Sequence, residues 1–396
     1  TRDLLNGKIF KMPLTGYRDN TTWETVVEHD QAVKIQGYAV YHKFVGLFVR
    51  TGGLNEIRIF YPASAETHTV TFPEPVYAVF PSPGPEYHSS SFRYNYSSLN
   101  RPQTIYDFDI NAKTSMVLKE QEIPGGFNPA EYRVERMWGT SADGVKVPMA
   151  VVYKKSLKRD RSNPALLEGY GSYGNSTDAT FRVNIFSLVD RGYVYGIAQV
   201  RGGSELGEQW YEDGRMMNKK NSFNDFVACA ENLLVQGLTS PSLLGIRGGS
   251  AGGLLMGAVV NLRPDLFNVV IADVPFVDVL NTMLDESLPL TTQEYEQWGN
   301  PHEKEAYDYI KSYSPYDNLQ PAVYPNILAT AGLNDSQVSY HEPAKWVARL
   351  RTLKTGNNIV LLKTNMESGH GGATGRYDYL KELAFRYAFL IGRNGK

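Results

Sequence analysis

Cysteine is almost missing from this 396-residue sequence: Cys229 is the one thiol. A single cysteine excludes any intrachain disulfide and fits a reducing compartment, the cytoplasm. It lies in FNDFVACAENLL, a helical-looking apolar stretch, and reads as a small core residue before it reads as a catalytic thiol. Long hydrophobic runs are missing too, and none approaches the roughly 18 residues that span a bilayer. The opening TRDLLNGKIF lacks the apolar centre of a signal peptide. It starts at Thr1 instead of Met, which predicts a processed chain or a piece of a longer one. Charge of one sign is not in excess: 40 Lys and Arg face 42 Asp and Glu, a net charge of −2. That speaks against a nucleic-acid partner, which needs a basic face, while leaving room for a charged pocket. No His, Cys and acid cluster has ligand spacing, and the Gly-x-Gly stretches do not follow a nucleotide-binding pattern, so no metal or cofactor is expected.

What is present describes a folded globular protein. Hydrophobic residues make up 42% and charged residues 21%, and the length suggests two to three domains. Up to about residue 135 the text reads as short strands: HKFVGLFVR (42–50), NEIRIFYP (55–62), EPVYAVFP (74–81), SSFRYNYS (90–97) and QTIYDFDI (103–110). They are rich in β-branched and aromatic residues, and TGG (51–53) and PSPGP (81–85) punctuate them. This spacing predicts an all-β unit: sandwich, barrel or propeller. From about residue 145 the pattern changes. VPMAVVY (147–153), PALLEGY (164–170), YVYGIAQV (193–200), SLLGIRGG (242–249), NVVIADV (268–274), NILATAG (326–332) and NIVLLKT (358–364) read as buried strands. Helix-length stretches separate them at 222–236, 251–262, 341–354 and 376–391. That alternation predicts a parallel α/β sheet. PGGFNP (124–129) is a plausible linker, giving a β-rich segment 1–130 and an α/β domain 131–396.

The chemistry starts at GGSAGG (248–253), in which Gly248-Gly249-Ser250-Ala251-Gly252 satisfies G-x-S-x-G. The motif needs a strand, a tight turn with Ser at its tip, and a helix. LLGIR and AGGLLMGAVVNL supply strand and helix. Glycines suit a turn where the backbone is strained and neighbours leave no room for Cβ atoms. Ser250 is therefore the candidate nucleophile on an α/β-hydrolase fold. In that fold an acid and then a histidine follow the serine. His302, His341 and His370 come after residue 250. His302 sits among charges at a helix start and His341 just before a helix. His370 follows the strand NIVLLKT in a Gly-rich loop that can reach the sheet edge, and is the candidate base. Asp335 follows NILATAG, one strand earlier, where the acid belongs; Asp273 and Asp278 lie one strand too early. Asp335 would fix the histidine tautomer and stabilise the imidazolium. An Asx turn at Asn334-Asp335 is the structural alternative. The Ala251 N–H would be one oxyanion donor, and the loop EGYGSYG, with the Tyr170 hydroxyl, would offer the other.

These residues are familiar as a set. GGSAGG, GYGSYG, RGGSELGEQWYEDG (201–214), LDESLPLTTQEYEQWGNP (284–301), NDSQVSYHEPAKW (334–346) and SGHGG resemble the prolyl oligopeptidase family of serine peptidases, with the oligopeptidase B branch the best match. The resemblance covers essentially all of 130–392. It implies a triad of Ser250, Asp335 and His370, with Tyr170 as the oxyanion tyrosine. It also implies an α/β-hydrolase domain capped by a seven-bladed propeller. Seven blades need roughly 40–45 residues each, so the β-rich segment holds about three, an incomplete propeller ahead of the catalytic domain.

The resemblance further implies cleavage of short peptides after Arg or Lys. A guanidinium calls for carboxylates, and TTQEYEQWGNP supplies Glu294 and Glu296. Two acids at i and i+2 share a side of an extended chain but not of a helix, so local structure decides which one touches the substrate. The resemblance favours Glu294; a solvated acidic stretch is the plain alternative. Asp178 matches one of two acids tied to a basic P2 residue, and Thr180 stands at the second. Gln337 replaces the Arg of prolyl-specific members. Two other readings stay open: a post-proline peptidase or esterase on the same fold, and a catalytically inactive truncated module. Oligomeric state is not legible.

Overall fold

A computed structural model of the chain describes residues 4–375 and 377–395. It divides into two compact units. The first comprises the residues up to Glu135, with Asp178–Val183 and Ser204–Trp210; the second comprises Arg136–Thr177, Asn184–Gly203 and the residues from Tyr211 on. The sequence reading drew one boundary after residue 130; the structure adds two short later segments to the first unit.

The second unit is built on an eight-stranded sheet. Its strands are β1 (Tyr132–Thr140), β2 (Lys146–Lys154), β3 (Ala165–Gly169), β4 (Val194–Ala198), β5 (Leu244–Gly249), β6 (Val269–Asp273), β7 (Asn326–Gly332) and β8 (Val360–Asn365). Their spatial order is β1-β2-β4-β3-β5-β6-β7-β8. β2 and β4 run antiparallel, and every pair from β4 onward is parallel. Every residue of β4, β6 and β7 is buried. That is why these strands read as unbroken apolar runs and not as alternating ones. The long helices are Lys220–Val235, Ala251–Leu262, His341–Leu353 and Asp378–Asn394. In the first of them Phe223, Phe226, Ala230 and Leu233 form the buried stripe, with Cys229 buried beside them. Burial pushes the Cys229 thiol up, away from the reactive thiolate.

The first unit contains two four-stranded antiparallel sheets in sequential order. One runs through Val33–Val40, Val45–Thr51, Leu54–Tyr61 and Glu66–Thr69; the other through Ala78–Pro81, Ser91–Ser98, Arg101–Asp109 and Thr114–Glu120. Both are shaped like propeller blades. Phe44, Ile57, Ile59, Val79, Phe92 and Phe108 form their common core. A two-stranded ribbon, Ile9–Lys11 with Glu24–Val27, precedes them. The length estimate of about three blades thus resolves into two blades and a ribbon.

Candidate active site

The parallel strands all end at one edge of the sheet, and the functional loops leave from there. Ser250 follows β5 directly, with φ 57° and ψ −121°. A non-glycine residue there is strained, and backbone contacts hold it in place. Ser250 N–H donates to Asp273 O at 2.8 Å, and Ser250 O accepts from Gly253 N at 2.8 Å and Phe276 N at 3.1 Å. A Cβ on Gly248 would stand 2.2 Å from Gly252 O, so glycine is required for strand and helix to close up. The helix Ala251–Leu262 buries ten of its twelve residues, which fixes its first turn. There the Ala251 N–H has no intrahelical acceptor.

Asp335 follows β7 and His370 follows β8. Their loops are tied by Leu333 N–H to Asn365 O at 2.9 Å and Asn334 N–H to Ser368 O at 3.1 Å. A Cβ on Gly332 would lie 2.6 Å from Gly369 O. Asp335 Oδ2 lies 2.7 Å from His370 Nδ1, and its Oδ1 accepts from the Gln337 and Val338 N–H groups, both at 2.9 Å. The Asp335 side chain is 1% exposed. An ionised carboxylate only accepts, so Nδ1 carries the proton toward Asp335 and Nε2 is left without one. Among the described residues no hydrogen bond joins Ser250 to His370, which lines a separate cavity of about 220 Å³ with Asp273, Asn365 and Arg386. The other candidates are engaged elsewhere: Asp273 with Arg247 and Arg386, Asp278 with Lys345, His302 near Glu286.

Ser250 opens onto a cavity of about 270 Å³ lined also by Tyr170, Tyr173, Ala251, Phe276, Met283, Glu294, Trp298 and Gln337. Burial raises the Tyr170 phenol, the Asn175 side chain opposes this, and the charge of Glu294 adds to it. A hydroxyl in that state stays a donor. Glu294 caps the short helix Tyr295–Trp298 with helical φ and ψ. The chain is therefore helical at the two acids, and they diverge. Glu294 faces the cavity, whereas Glu296 is exposed and absent from its lining. Glu294 Oε2 accepts from the Tyr173 hydroxyl and from Trp298 Nε1, each at 2.8 Å. Sequence reasoning missed Tyr173 and Trp298 as partners of the acid; Tyr173 lay within the GYGSYG motif, and φ 60° places it in the left-handed region. Asp178 belongs to the first unit, where its Oδ1 pairs with Arg50 Nη2 at 2.8 Å. Thr180 lies in the same segment.

Strand order, elbow and Asp–His pair define the second unit as an α/β-hydrolase. Residues 179–395 match the prolyl oligopeptidase family, and residues 1–121 match the N-terminal β-propeller domain of prolyl oligopeptidase. The chain belongs to the prolyl oligopeptidase family. It is 42% identical to Protease 2 of Moraxella lacunata over 99% of its length and 56% of the relative's. It is 43% identical to dipeptidyl aminopeptidase BI of Pseudoxanthomonas mexicana over 98% of its length and 54% of the relative's. Its fold superposes on oligopeptidase B from Leishmania major with a TM-score of 0.91 and 43% identity, covering 99% of this chain and 56% of that one. Oligopeptidase B from Trypanosoma brucei with covalently bound antipain gives 0.92 and 43%, with the same coverage. The chain thus spans about half the length of these relatives.

Proposed function

We propose that the chain acts as a serine endopeptidase of the oligopeptidase B type, cutting short peptides after Arg or Lys through an acyl-enzyme. One observation carries the reading: Ser250 on its strained elbow shares a cavity with one charged residue, Glu294, among its lining residues. Phe276, Met283, Leu288 and Trp298 offer apolar wall for the stem of a basic side chain, and Glu294 meets its head. His370 Nε2 takes the Ser250 proton as the hydroxyl attacks the carbonyl carbon. The Ala251 N–H and the Tyr170 hydroxyl hold the oxyanion. His370 then protonates the leaving amine, and water repeats the sequence on the ester. Asp178 is left out of this reading because Arg50 already holds its carboxylate. Glu296 is left out because it does not line the cavity. The single, buried Cys229 suits a cytoplasmic setting. Among the described residues no helix is long and apolar enough to cross a membrane.

The test compares kcat/KM for two fluorogenic peptides, one ending in Arg-Arg and one in Gly-Pro, with Ser250→Ala as the blank. Preference for Arg that collapses in Glu294→Gln, with simple esters still cleaved, is the expected result. Preference for Pro, or Arg cleavage indifferent to Glu294→Gln, overturns the specificity.

A further inference from the structure

Lys219 is a buried lysine without a carboxylate of its own. It is 1% exposed, and among the described residues no acid lies within salt-bridge distance of its Nζ. Asp225, whose charge acts on Lys219, already gives both oxygens to Arg201. Instead Nζ donates to Gly171 O, and lies 3.0 Å from Ser172 Oγ, 3.1 Å from Ser222 Oγ and 3.3 Å from Gly214 O. Ser222 gives its own proton to Arg201 O at 2.6 Å, so toward Lys219 it accepts. Two carbonyls and that hydroxyl are three acceptors with no proton to offer. An ammonium shares its three N–H bonds among these and Ser172 Oγ; a neutral amine, with two, leaves more of them short. Burial pulls the ammonium down to about 7, and Asp225 opposes this. A lysine buried this deeply is uncommon away from functional sites.

What the ammonium grips explains its place. Gly171 and Ser172 lie between Tyr170 and Tyr173, so the clamped backbone sits between the proposed oxyanion donor and the donor to Glu294. Nζ also stands 5.4 Å from the centre of the Trp298 ring, whose Nε1 is the second donor to Glu294. We propose that Lys219 is a positioning residue that fixes the 170–173 turn, and through it the Tyr170 hydroxyl, over Ser250. It touches no substrate atom. The inference rests on the reading of Tyr170 as the oxyanion donor.

The experiment measures the second-order rate at which a fluorophosphonate labels Ser250 in the whole chain, for wild type, Lys219→Met, Ser172→Ala, Tyr170→Phe and the double variants. Lys219→Met should slow labelling by about 10- to 100-fold, the scale of a misplaced catalytic group, and Ser172→Ala by less. If Lys219 acts through Tyr170, Lys219→Met/Tyr170→Phe labels no more slowly than the slower single variant, the non-additivity of one shared unit. A merely structural lysine gives effects that multiply. Wild-type labelling in Lys219→Met, or multiplying effects, overturns the inference. Should circular dichroism show Lys219→Met unfolded, Ser172→Ala and its double with Tyr170→Phe decide by the same criteria. Absent labelling of wild type overturns the functional reading and this inference together; labelling without peptide cleavage overturns the substrate reading alone.

Discussion

Asp335 spends both carboxylate oxygens, one on two backbone N–H groups and one on His370. The first set fixes the carboxylate and the second fixes the imidazole tautomer. Asp335→Asn keeps an acceptor for the backbone but can present an amide to Nδ1. The proton then moves to Nε2, and the base of the proposed mechanism is lost. The expected fall in kcat is about 10⁴-fold with little change in KM, read by steady-state kinetics; a fall under ten-fold would mean that Asp335 does not set the tautomer. If Tyr170 is the oxyanion donor proposed above, Tyr170→Phe should lower kcat by roughly 10²–10³-fold while the melting temperature holds. At this scale the elbow serine and the pairing of Asp335 with His370 were legible in the sequence, because chain order and strand-end position leave few choices. The choice between Glu294 and Glu296 was not. It turns on whether the chain is extended or helical at those positions, and the run of eight polar or aromatic residues from Thr291 to Trp298 does not decide that. Tyr173 was hidden for a related reason, since a tyrosine in a glycine-rich turn looks like packing.

At the scale of elements, Glu342 shows how a helix can govern the cavity. It sits on His341–Leu353, fully buried, and accepts from Val277 N at 3.0 Å, Asp278 N at 2.9 Å and Thr282 Oγ1 at 2.7 Å. The segment it grips carries Phe276, Thr282 and Met283 into the cavity wall. Burial pushes its carboxyl from the ordinary 4.5 up to about 7, against the hydrogen bonds that favour the ionised form. The folded chain therefore keeps a proton where the unfolded chain has lost it. Stability falls as pH rises from the unfolded to the folded value, and the loss is complete above about 7. Glu342→Gln cannot ionise and lacks this slope. The melting temperature of wild type minus that of Glu342→Gln should drop between roughly pH 5 and pH 8, whatever its absolute sign; a flat difference would remove Glu342 from the account. The strands and helices around this region were legible as apolar runs: Asn326–Gly332 and Ala251–Leu262 have the bounds read from sequence. Thr114–Glu120 was not, since it is exposed along its length and no buried face imposes a period of two. Val33–Val40 was missed as well, because its pattern never reaches full burial.

On the scale of the whole molecule, two short segments make the first unit discontinuous in sequence. Asp178–Val183 and Ser204–Trp210 leave the second unit's stretch of chain and pack with residues before 136. They bring Asp178 to Arg50, Phe181 N–H to Ser97 Oγ at 2.8 Å, and Glu208 to Lys34 at 2.6 Å. Arg50 matters most. Its side chain is 1% exposed, and Nε and Nη1 are buried without a hydrogen-bond partner, so Asp178 is the charge that offsets it. Asp178→Ala strands a buried guanidinium and should destabilise the first unit by roughly 3–5 kcal/mol. Arg50→Met with Asp178→Leu should recover most of that, because two apolar side chains carry no unpaired charge. Urea unfolding of the three chains measures both effects. If Asp178→Ala instead leaves stability unchanged and selectively weakens cleavage of Arg-Arg over Ala-Arg peptides, its carboxylate serves the substrate and not Arg50. A fragment of residues 1–135 lacks both segments and should fail to fold where the whole chain does, for the same reason that the boundary could not be drawn at one position in the sequence.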